Sequence, residues 1–127
     1  MKITIPGTPV PKGRPRVRVM GKFAQIYTPP ETRKAEDEFL KEAIKYKPGE
    51  PIEGPIAIDI KFYKAPPKKM PKGRTGWTTK PDLDNLVKLV IDALNKVFFK
   101  DDRQIVEITA TKEYDDNPRT EFEIRKI

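Results

Sequence analysis

The sequence contains no histidine, no cysteine and no serine among its 127 residues. These absences exclude serine and cysteine nucleophiles with a histidine base, and zinc sites built from cysteine or histidine. Hydrolytic chemistry would then depend on carboxylates that hold a hard cation such as Mg²⁺ or Mn²⁺, because oxygen ligands suit those ions. Lysine, arginine and tyrosine remain as supporting groups.

Long apolar runs are also missing. No stretch approaches the roughly 20 apolar residues of a membrane span, and the first residues lack the apolar core of a signal peptide. Apolar residues make up 36% of the chain, which is enough for one modest core. We therefore expect a single domain over residues 1–127 that is soluble, intracellular and cytoplasmic, with no membrane partner.

Positive charge is in excess, and it is concentrated in two segments. The chain has a formal net charge of +7. Residues 1–34 contain eight basic residues and one acidic residue, and residues 61–80 contain seven basic residues and no acidic one. The remainder of the chain must therefore be acidic. Such segregation favours a polyanionic partner, nucleic acid first of all, although a basic surface that serves only solubility has the same composition.

Hydrophobic periodicity predicts an α+β fold with a mixed or antiparallel sheet and two main helices. A first strand contains Ile3 and Ile5, and a hairpin follows over residues 14–27. A first helix is expected to start at a Thr28-x-x-Glu31 capping box. Further on, the pattern predicts a strand over residues 56–63, a basic loop over residues 64–79, a second helix over about 84–95, and two last strands around residues 103–110 and 120–124.

Arginines occupy every second position of the predicted hairpin. Arg14, Arg16 and Arg18 alternate with Pro15 and Val17, so they would share one strand face, which suits contact with a phosphate backbone. A charged edge strand that resists aggregation would show the same pattern.

The basic loop has the composition of a segment that binds single-stranded or branched nucleic acid. It combines cations with one aromatic residue, Trp77. Packing of Trp77 on the domain is the alternative interpretation. The cations of the loop are Lys68, Lys69, Lys72 and Arg74.

Carboxylates cluster around the second predicted helix. Asp82 and Asp84 lie two residues apart at its start, and Asp102 lies at the entrance of the next strand. A strand packed against the helix could return Asp102 to the other two. Three carboxylates would hold an ion and leave positions for water and a phosphate oxygen. Each feature also has an ordinary explanation, since aspartate before a helix is a common cap and Asp-Asp before a strand is a common turn.

Lys88 lies one helical turn after Asp84 and one turn before Asp92. On a helix these three residues form one polar stripe. The ammonium could stabilise charge on a scissile phosphate, or it could form an ordinary surface ion pair of about 0.3–0.5 kcal/mol. Spacing alone does not separate the two interpretations.

The segment Lys-Pro-Asp82-Leu-Asp84-Asn-Leu-x-Lys88-x-x-x-Asp92-Ala-Leu, followed by Asp101-Asp102-x-Gln-Ile, resembles the RusA family of Holliday-junction resolvases. The Lys-Gly-Arg-Pro-Arg start at residues 12–16, the Tyr-Thr-Pro segment at 27–29 and the late Lys112-x-Tyr114 are also similar to that family.

The resemblance implies a homodimeric, Mg²⁺-dependent endodeoxyribonuclease that cuts four-way DNA junctions by paired hydrolysis. It places the metal-binding aspartates on Asp82, Asp84 and Asp102 and the essential lysine on Lys88. Whether Asp101 or Asp102 is the third ligand stays open, as does the number of ions, one or two. The candidate DNA contacts are Lys12, Arg14, Arg16, Arg18, Lys68, Lys69, Lys72, Arg74 and Lys80.

Two other functions fit the same residues. One is a metal-dependent nuclease that acts on other branched or single-stranded DNA. The other is a basic nucleic-acid-binding protein without activity, in which the aspartates are only caps.

Overall fold

The structure, a computed structural model, describes residues 2–69 and 76–127. Eight main elements follow one another along the chain: β1 (Lys2–Pro6), β2 (Arg16–Met20), β3 (Phe23–Tyr27), α1 (Pro30–Ala43), β4 (Ile56–Lys64), α2 (Leu83–Leu94), β5 (Ile105–Tyr114) and β6 (Arg119–Lys126). Short 3₁₀ turns follow α1 and precede β5. The α+β class and the order of elements are as predicted.

Four strands form the main sheet in the order β1–β6–β4–β5. The pairs β1/β6 and β6/β4 are antiparallel, and β4/β5 is parallel. Because α2 connects two parallel strands, it must run back along the sheet, antiparallel to both of them. This crossover decides where each aspartate lies.

The core lies between this sheet and the two helices. The inner face of β4 carries buried Ile58, Ile60 and Phe62, since side chains of a strand alternate between faces. In α1 the buried Phe39 contributes its ring to a contact with Phe122 of β6, with the ring centroids 6.0 Å apart. Full burial of such side chains is worth about 1.5–3 kcal/mol each, so this face holds the helices on the sheet. The buried residues of α2 are Leu86, Leu89, Val90, Ala93 and Leu94.

The strands β2 and β3 form a separate two-stranded sheet. Its turn uses Gly21 at a φ of +62°, the left-handed region that favours glycine. Every residue of β2 is exposed. The predicted hairpin is therefore confirmed, but β2 begins at Arg16, so Arg14 precedes the strand and does not belong to the alternating row.

The start of α1 differs from the prediction. Pro29 occupies the N-cap position without a side-chain hydrogen bond, and the helix begins at Pro30. Thr28 is therefore not the cap, and Glu31 instead forms an ion pair with Arg16 of the hairpin. The proline pair sets the start of the helix by itself, because its fixed φ suits the first helical turn.

Candidate active site

The amino end of α2 presents two exposed carboxylates. Asp82 occupies the N-cap position, yet its side chain makes no capping hydrogen bond. Asp84 lies in the first turn, with its side chain 71% exposed. The positive end of the helix dipole favours negative charge at this place. The capping explanation for Asp82 therefore finds no support in its contacts, and both oxygen groups face solvent.

Lys88 lies one turn along the same face. Its Nζ is 4.0 Å from Asp84 Oδ2, and both side chains are largely exposed. Asp92 does not continue the predicted stripe of alternating charges, because it pairs with Lys12 from the N-terminal segment. Among the described residues, the ammonium of Lys88 is thus paired with Asp84 and not with Asp92.

The segment before β2 is attached to α2 beside these carboxylates. The backbone N–H of Lys12 donates to the carbonyl of Asn85 at 3.0 Å. Burial acts to lower the pKa of the Lys12 ammonium, but its hydrogen bond and attraction to Asp92 outweigh burial and raise that pKa. Glu36 of α1 adds a carboxylate 3.5 Å from Lys12 Nζ. Lys12 therefore joins the two helices, and this use of its charge competes with the predicted role in DNA binding.

Gly13, the next residue, packs closely against α1. Its N–H donates to the buried Thr32 hydroxyl of α1 at 3.0 Å, and a Cβ at this position would lie 2.7 Å from that oxygen. Only glycine fits such an approach without a shift of the neighbour. Arg14 follows directly and is exposed, so its guanidinium group is accessible to solvent two residues after the contact between Lys12 and α2.

The segment that leads into Asp82 is held by residues of β5. Lys112 Nζ donates to the carbonyls of Thr79 and Pro81, both at 2.8 Å. Trp77 is buried, its indole N–H donates to the carbonyl of Lys80, and its ring stacks on Tyr114. Trp77 therefore packs on the domain, which was the alternative interpretation of this residue.

Lys112 and Trp77 hold the segment that leads into Asp82, and the sequence patterns did not predict this role for either residue. The signal that could have indicated them is the Lys112-x-Tyr114 pattern near the end of the chain. In a parallel β4–α2–β5 unit, this end of β5 lies beside the start of α2.

The other predicted cations divide into three groups. Arg16 pairs with Glu31, and Arg18 lies over the ring of Tyr27 at 4.8 Å. Lys68, Lys69 and Lys80 are exposed. Lys72 and Arg74 lie outside the described residues.

Asp101 and Asp102 lie at the opposite end of α2. Asp101 begins a 3₁₀ turn in which its carboxylate accepts from the Arg103 N–H at 2.9 Å, and this hydrogen bond lowers the pKa of Asp101. Gln104 completes the capping box and donates to the carbonyls of Ile52 and Gly54. Asp102 is exposed. The first aspartate of the pair thus serves the fold, and the second projects into solvent.

The expected return of Asp102 to Asp82 and Asp84 is wrong for a single chain. The 12 residues of α2 span about 18 Å, and Asp102 follows the far end. Within residues 2–69 and 76–127, no three acidic side chains form a group that could hold an ion. Carboxylate oxygens have the chemistry that a hard divalent ion requires, but one chain brings only Asp82 and Asp84 to the same place.

The sequence matches the family model of the endodeoxyribonuclease RusA over residues 6–125. This chain belongs to the RusA family. It is 36% identical to the uncharacterized protein YqaN of Bacillus subtilis (strain 168), with 100% of this chain and 96% of the relative covered. It is 38% identical to the crossover junction endodeoxyribonuclease rusA of Lactococcus phage r1t over 66% of each chain.

As a RusA-family member the chain is an endodeoxyribonuclease, and the non-enzymatic alternative is set aside. A nuclease family of this kind suggests a divalent metal. No helix among the described residues is long and apolar enough to cross a membrane.

Proposed function

We propose that this chain is a Mg²⁺-dependent resolvase that cuts four-way DNA junctions by paired phosphodiester hydrolysis, and that it acts as a homodimer. The observation that carries the proposal is the carboxylate of Asp82, which stands at a helix start, caps nothing and lies with Asp84 beside a cationic segment. The phage relative whose name specifies crossover junctions supports the choice of substrate.

The residues divide into those that act on the phosphate and those that hold DNA. Asp82 and Asp84 would bind Mg²⁺, and Asp102 would add the third carboxylate. A bound Mg²⁺ acidifies water and polarises a phosphate oxygen. Lys88 would lie against the scissile phosphate and offset its developing charge. Between Asp101 and Asp102, the choice of Asp102 is supported by the hydrogen bond that already occupies Asp101.

The hairpin and the basic loop are the proposed DNA surface. The exposed Arg14, Arg16 and Arg18 lie on or before β2, with Lys68 and Lys69 in the described part of the loop. Because such contacts release counterions, log K against log[salt] should have a slope on the order of −5. Replacing both Arg16 and Arg18 with Ala should make that slope shallower by about 1–2, and an unchanged slope would remove the hairpin from the DNA surface.

Cleavage of defined DNA substrates tests the function. A four-way junction, a flap, a single strand and a linear duplex of the same sequence are each incubated with and without Mg²⁺. We expect symmetric paired cuts in the junction only, and only with the ion. Faster cutting of the flap or the single strand would favour the alternative nuclease, and equal cutting without a divalent ion would contradict the metal dependence.

A further inference from the structure

The tip of the β2–β3 hairpin carries two large apolar side chains that do not belong to the core. Met20 and Phe23, which form this tip, flank the turn at Gly21 and Lys22 and lie directly opposite each other. Phe23 is 80% exposed and Met20 is 56% exposed, and no other large apolar residue in the described parts of the chain is as exposed as Phe23. Exposed apolar groups that a fold does not use are typical of a contact with a partner.

The arginines of the hairpin lie on the same face as the tip. Residues directly opposite each other in an antiparallel pair share a face, and the face repeats at every second residue. The cross-strand pairs of this face are Arg16 with Tyr27, Arg18 with Gln25, and Met20 with Phe23. The pairs of the other face, Val17 with Ile26 and Val19 with Ala24, include no charged residue. Two cations thus precede the apolar tip along one face of the ribbon.

The charge of the hairpin restricts what the tip can contact. Residues 14–27 contain four basic residues and no acidic one, so a partner that covers this segment must be anionic. DNA combines an anionic backbone with apolar base planes on which aromatic side chains stack. A two-stranded β-ribbon also fits the major groove of DNA. An anionic membrane also combines charge with an apolar interior, but the chain belongs to a family of endodeoxyribonucleases, which favours DNA.

The length of the hairpin matches the depth of a DNA groove. Arg18 precedes Met20 by two residues, which is about 7 Å along the strand, and the major groove is about 8.5 Å deep. When Arg18 contacts a phosphate, the tip therefore lies near the level of the bases. Phenylalanine and methionine are among the side chains that proteins insert between base steps.

The hairpin is anchored beside the first turn of α2. The Lys12 N–H donates to the carbonyl of Asn85, and the Gly13 N–H donates to the Thr32 hydroxyl, both at 3.0 Å. The eight residues from Lys12 to Met20 span at most about 27 Å, which corresponds to about eight base steps of DNA. The tip can therefore reach bases within about eight steps of a phosphate bound at the start of α2.

We propose that Met20 and Phe23 insert between bases at the branch point of the DNA, and that Phe23 thereby determines a preference for four-way junctions over linear duplex. The inference rests on the proposed function for the substrate and deepens it by naming residues that recognise its shape. Insertion into a linear duplex must break the stacking of two base pairs, which costs free energy. At a branch point the stack is already interrupted, so insertion costs less. Arg16 and Arg18 hold the backbone of either DNA, whereas the tip distinguishes the two.

Binding by Phe23 variants tests this preference. Affinities for a four-way junction and for a linear duplex of the same length and sequence are measured at one salt concentration without a divalent ion. Phe23→Ala should bind the junction roughly tenfold more weakly, as expected for the loss of one stacked base, with a much smaller change on the duplex and an unchanged thermal midpoint. Phe23→Tyr keeps the ring and should keep the preference. Equal losses on both DNAs, or no loss on the junction, would overturn the role of Phe23.

Val19→Thr is the matched control. Val19 is 75% exposed and precedes Met20 directly, but its side chain lies on the face without arginines. Threonine keeps the size and the β-branch of valine, which suit a strand. This variant should bind both DNAs as the parent protein does. A loss of junction affinity as large as that of Phe23→Ala would assign the preference to the whole hairpin and overturn the role of the tip.

Insertion itself is measured with 2-aminopurine, whose fluorescence rises when the base loses a stacking partner. With the probe next to the branch point, the parent protein and Phe23→Tyr should raise the emission, and Phe23→Ala should not. A probe more than about eight base pairs from the proposed cleavage position should respond to none of them. No rise with the parent protein, or an equal rise with Phe23→Ala, would contradict insertion by the tip.

Flotation with vesicles of phosphatidylserine and phosphatidylcholine examines the other anionic partner. The parent protein should remain unbound. Binding to these vesicles that Phe23→Ala abolishes would show that the tip contacts membranes and would overturn the proposal.

Failure of this inference is distinguishable from failure of the proposed function. If the parent protein cuts junctions but Phe23→Ala keeps the full preference for them, only the assignment of the tip is wrong. If the 2-aminopurine signal depends on Phe23 but no junction is ever cut, the tip recognises branched DNA and only the proposed reaction is wrong.

Discussion

The two ends of α2 both carry a pair of aspartates, but their surroundings differ. At the amino end, Asp82 and Asp84 make no hydrogen bond that serves the helix and lie beside a cationic segment. At the other end, the carboxylate of Asp101 closes a turn, and only Asp102 remains exposed. Two similar pairs of aspartates thus have different uses, and the hydrogen-bond partners of each carboxylate distinguish those that stabilise the fold from those available for chemistry.

The largest effect is expected at the amino end. Asp82→Asn or Asp84→Asn should lower junction cleavage roughly a hundredfold or more, because an ion that contributes several kcal/mol of charge stabilisation is held less well. Junction binding should be retained or become tighter, since negative charge facing DNA is removed. Asp116→Asn, at an exposed position in the turn before β6, is the control. Cleavage at the parental rate by both amino-end variants would show that these carboxylates take no part in the reaction.

The second prediction distinguishes the roles of Asp101 and Asp102, which follow the carboxyl end of α2. Asp102→Asn should lose cleavage with an unchanged thermal midpoint, because its carboxylate is exposed. Asp101→Ala should retain most cleavage and lower the midpoint by a few degrees, because the Arg103 N–H loses its acceptor. Cleavage assays and thermal unfolding of both variants measure this contrast, and the reverse result would make Asp101 the ligand.

Most of the fold could be predicted from the sequence. Alternation in β4 and the apolar stripe of α2 gave those elements nearly correct bounds, because periodicity reflects burial directly. The predicted cap of α1 was wrong, because the Thr28-x-x-Glu31 pattern takes account only of neighbouring residues. In the structure Glu31 pairs with Arg16 of the hairpin, and Pro29 occupies the N-cap position.

The placement of Asp102 failed for a different reason. Nearness in sequence to α2 suggested nearness to Asp82, but a strand–helix–strand crossover makes the helix antiparallel to both strands and separates its two ends. The order of β4, α2 and β5 already contained this information. The carbonyl contacts of Lys112 could not be predicted from local periodicity, because they join residues more than 30 positions apart.

A smaller effect on cleavage is expected when the contacts that hold the segment before Asp82 are removed. Lys112→Ala removes the donor to the carbonyls of Thr79 and Pro81 and should displace Asp82, with about a tenfold loss of cleavage, since misplacement of about 1 Å can cost up to a hundredfold. Mn²⁺ binding should weaken in parallel. Lys126→Ala, at an exposed position at the end of β6, is the control. Equal loss in both variants would indicate a general effect of charge on DNA binding.

The smallest effect is a pH dependence at the carboxyl end. The Arg103 hydrogen bond holds the pKa of Asp101 below its ordinary value of 3.8, so the folded state favours the ionised carboxylate. Its contribution to stability is present above the ordinary value and is lost as the pH falls through the lowered one. The difference in denaturation midpoint between the parent protein and Asp101→Ala should shrink from pH 7 to pH 3, and a constant difference would contradict this origin.

The chain contains one tryptophan, Trp77, which together with Lys112 holds the segment that leads into Asp82. Trp77 is buried against Tyr114, with the ammonium groups of Lys64 and Lys112 5.4 and 5.1 Å from its ring. Its intrinsic fluorescence therefore reports on this segment alone, without a label or a background from other indoles. Detachment of the segment would expose the ring to water and shift its emission to longer wavelength. The attachment of the segment before Asp82 can therefore be followed in time during DNA binding and release.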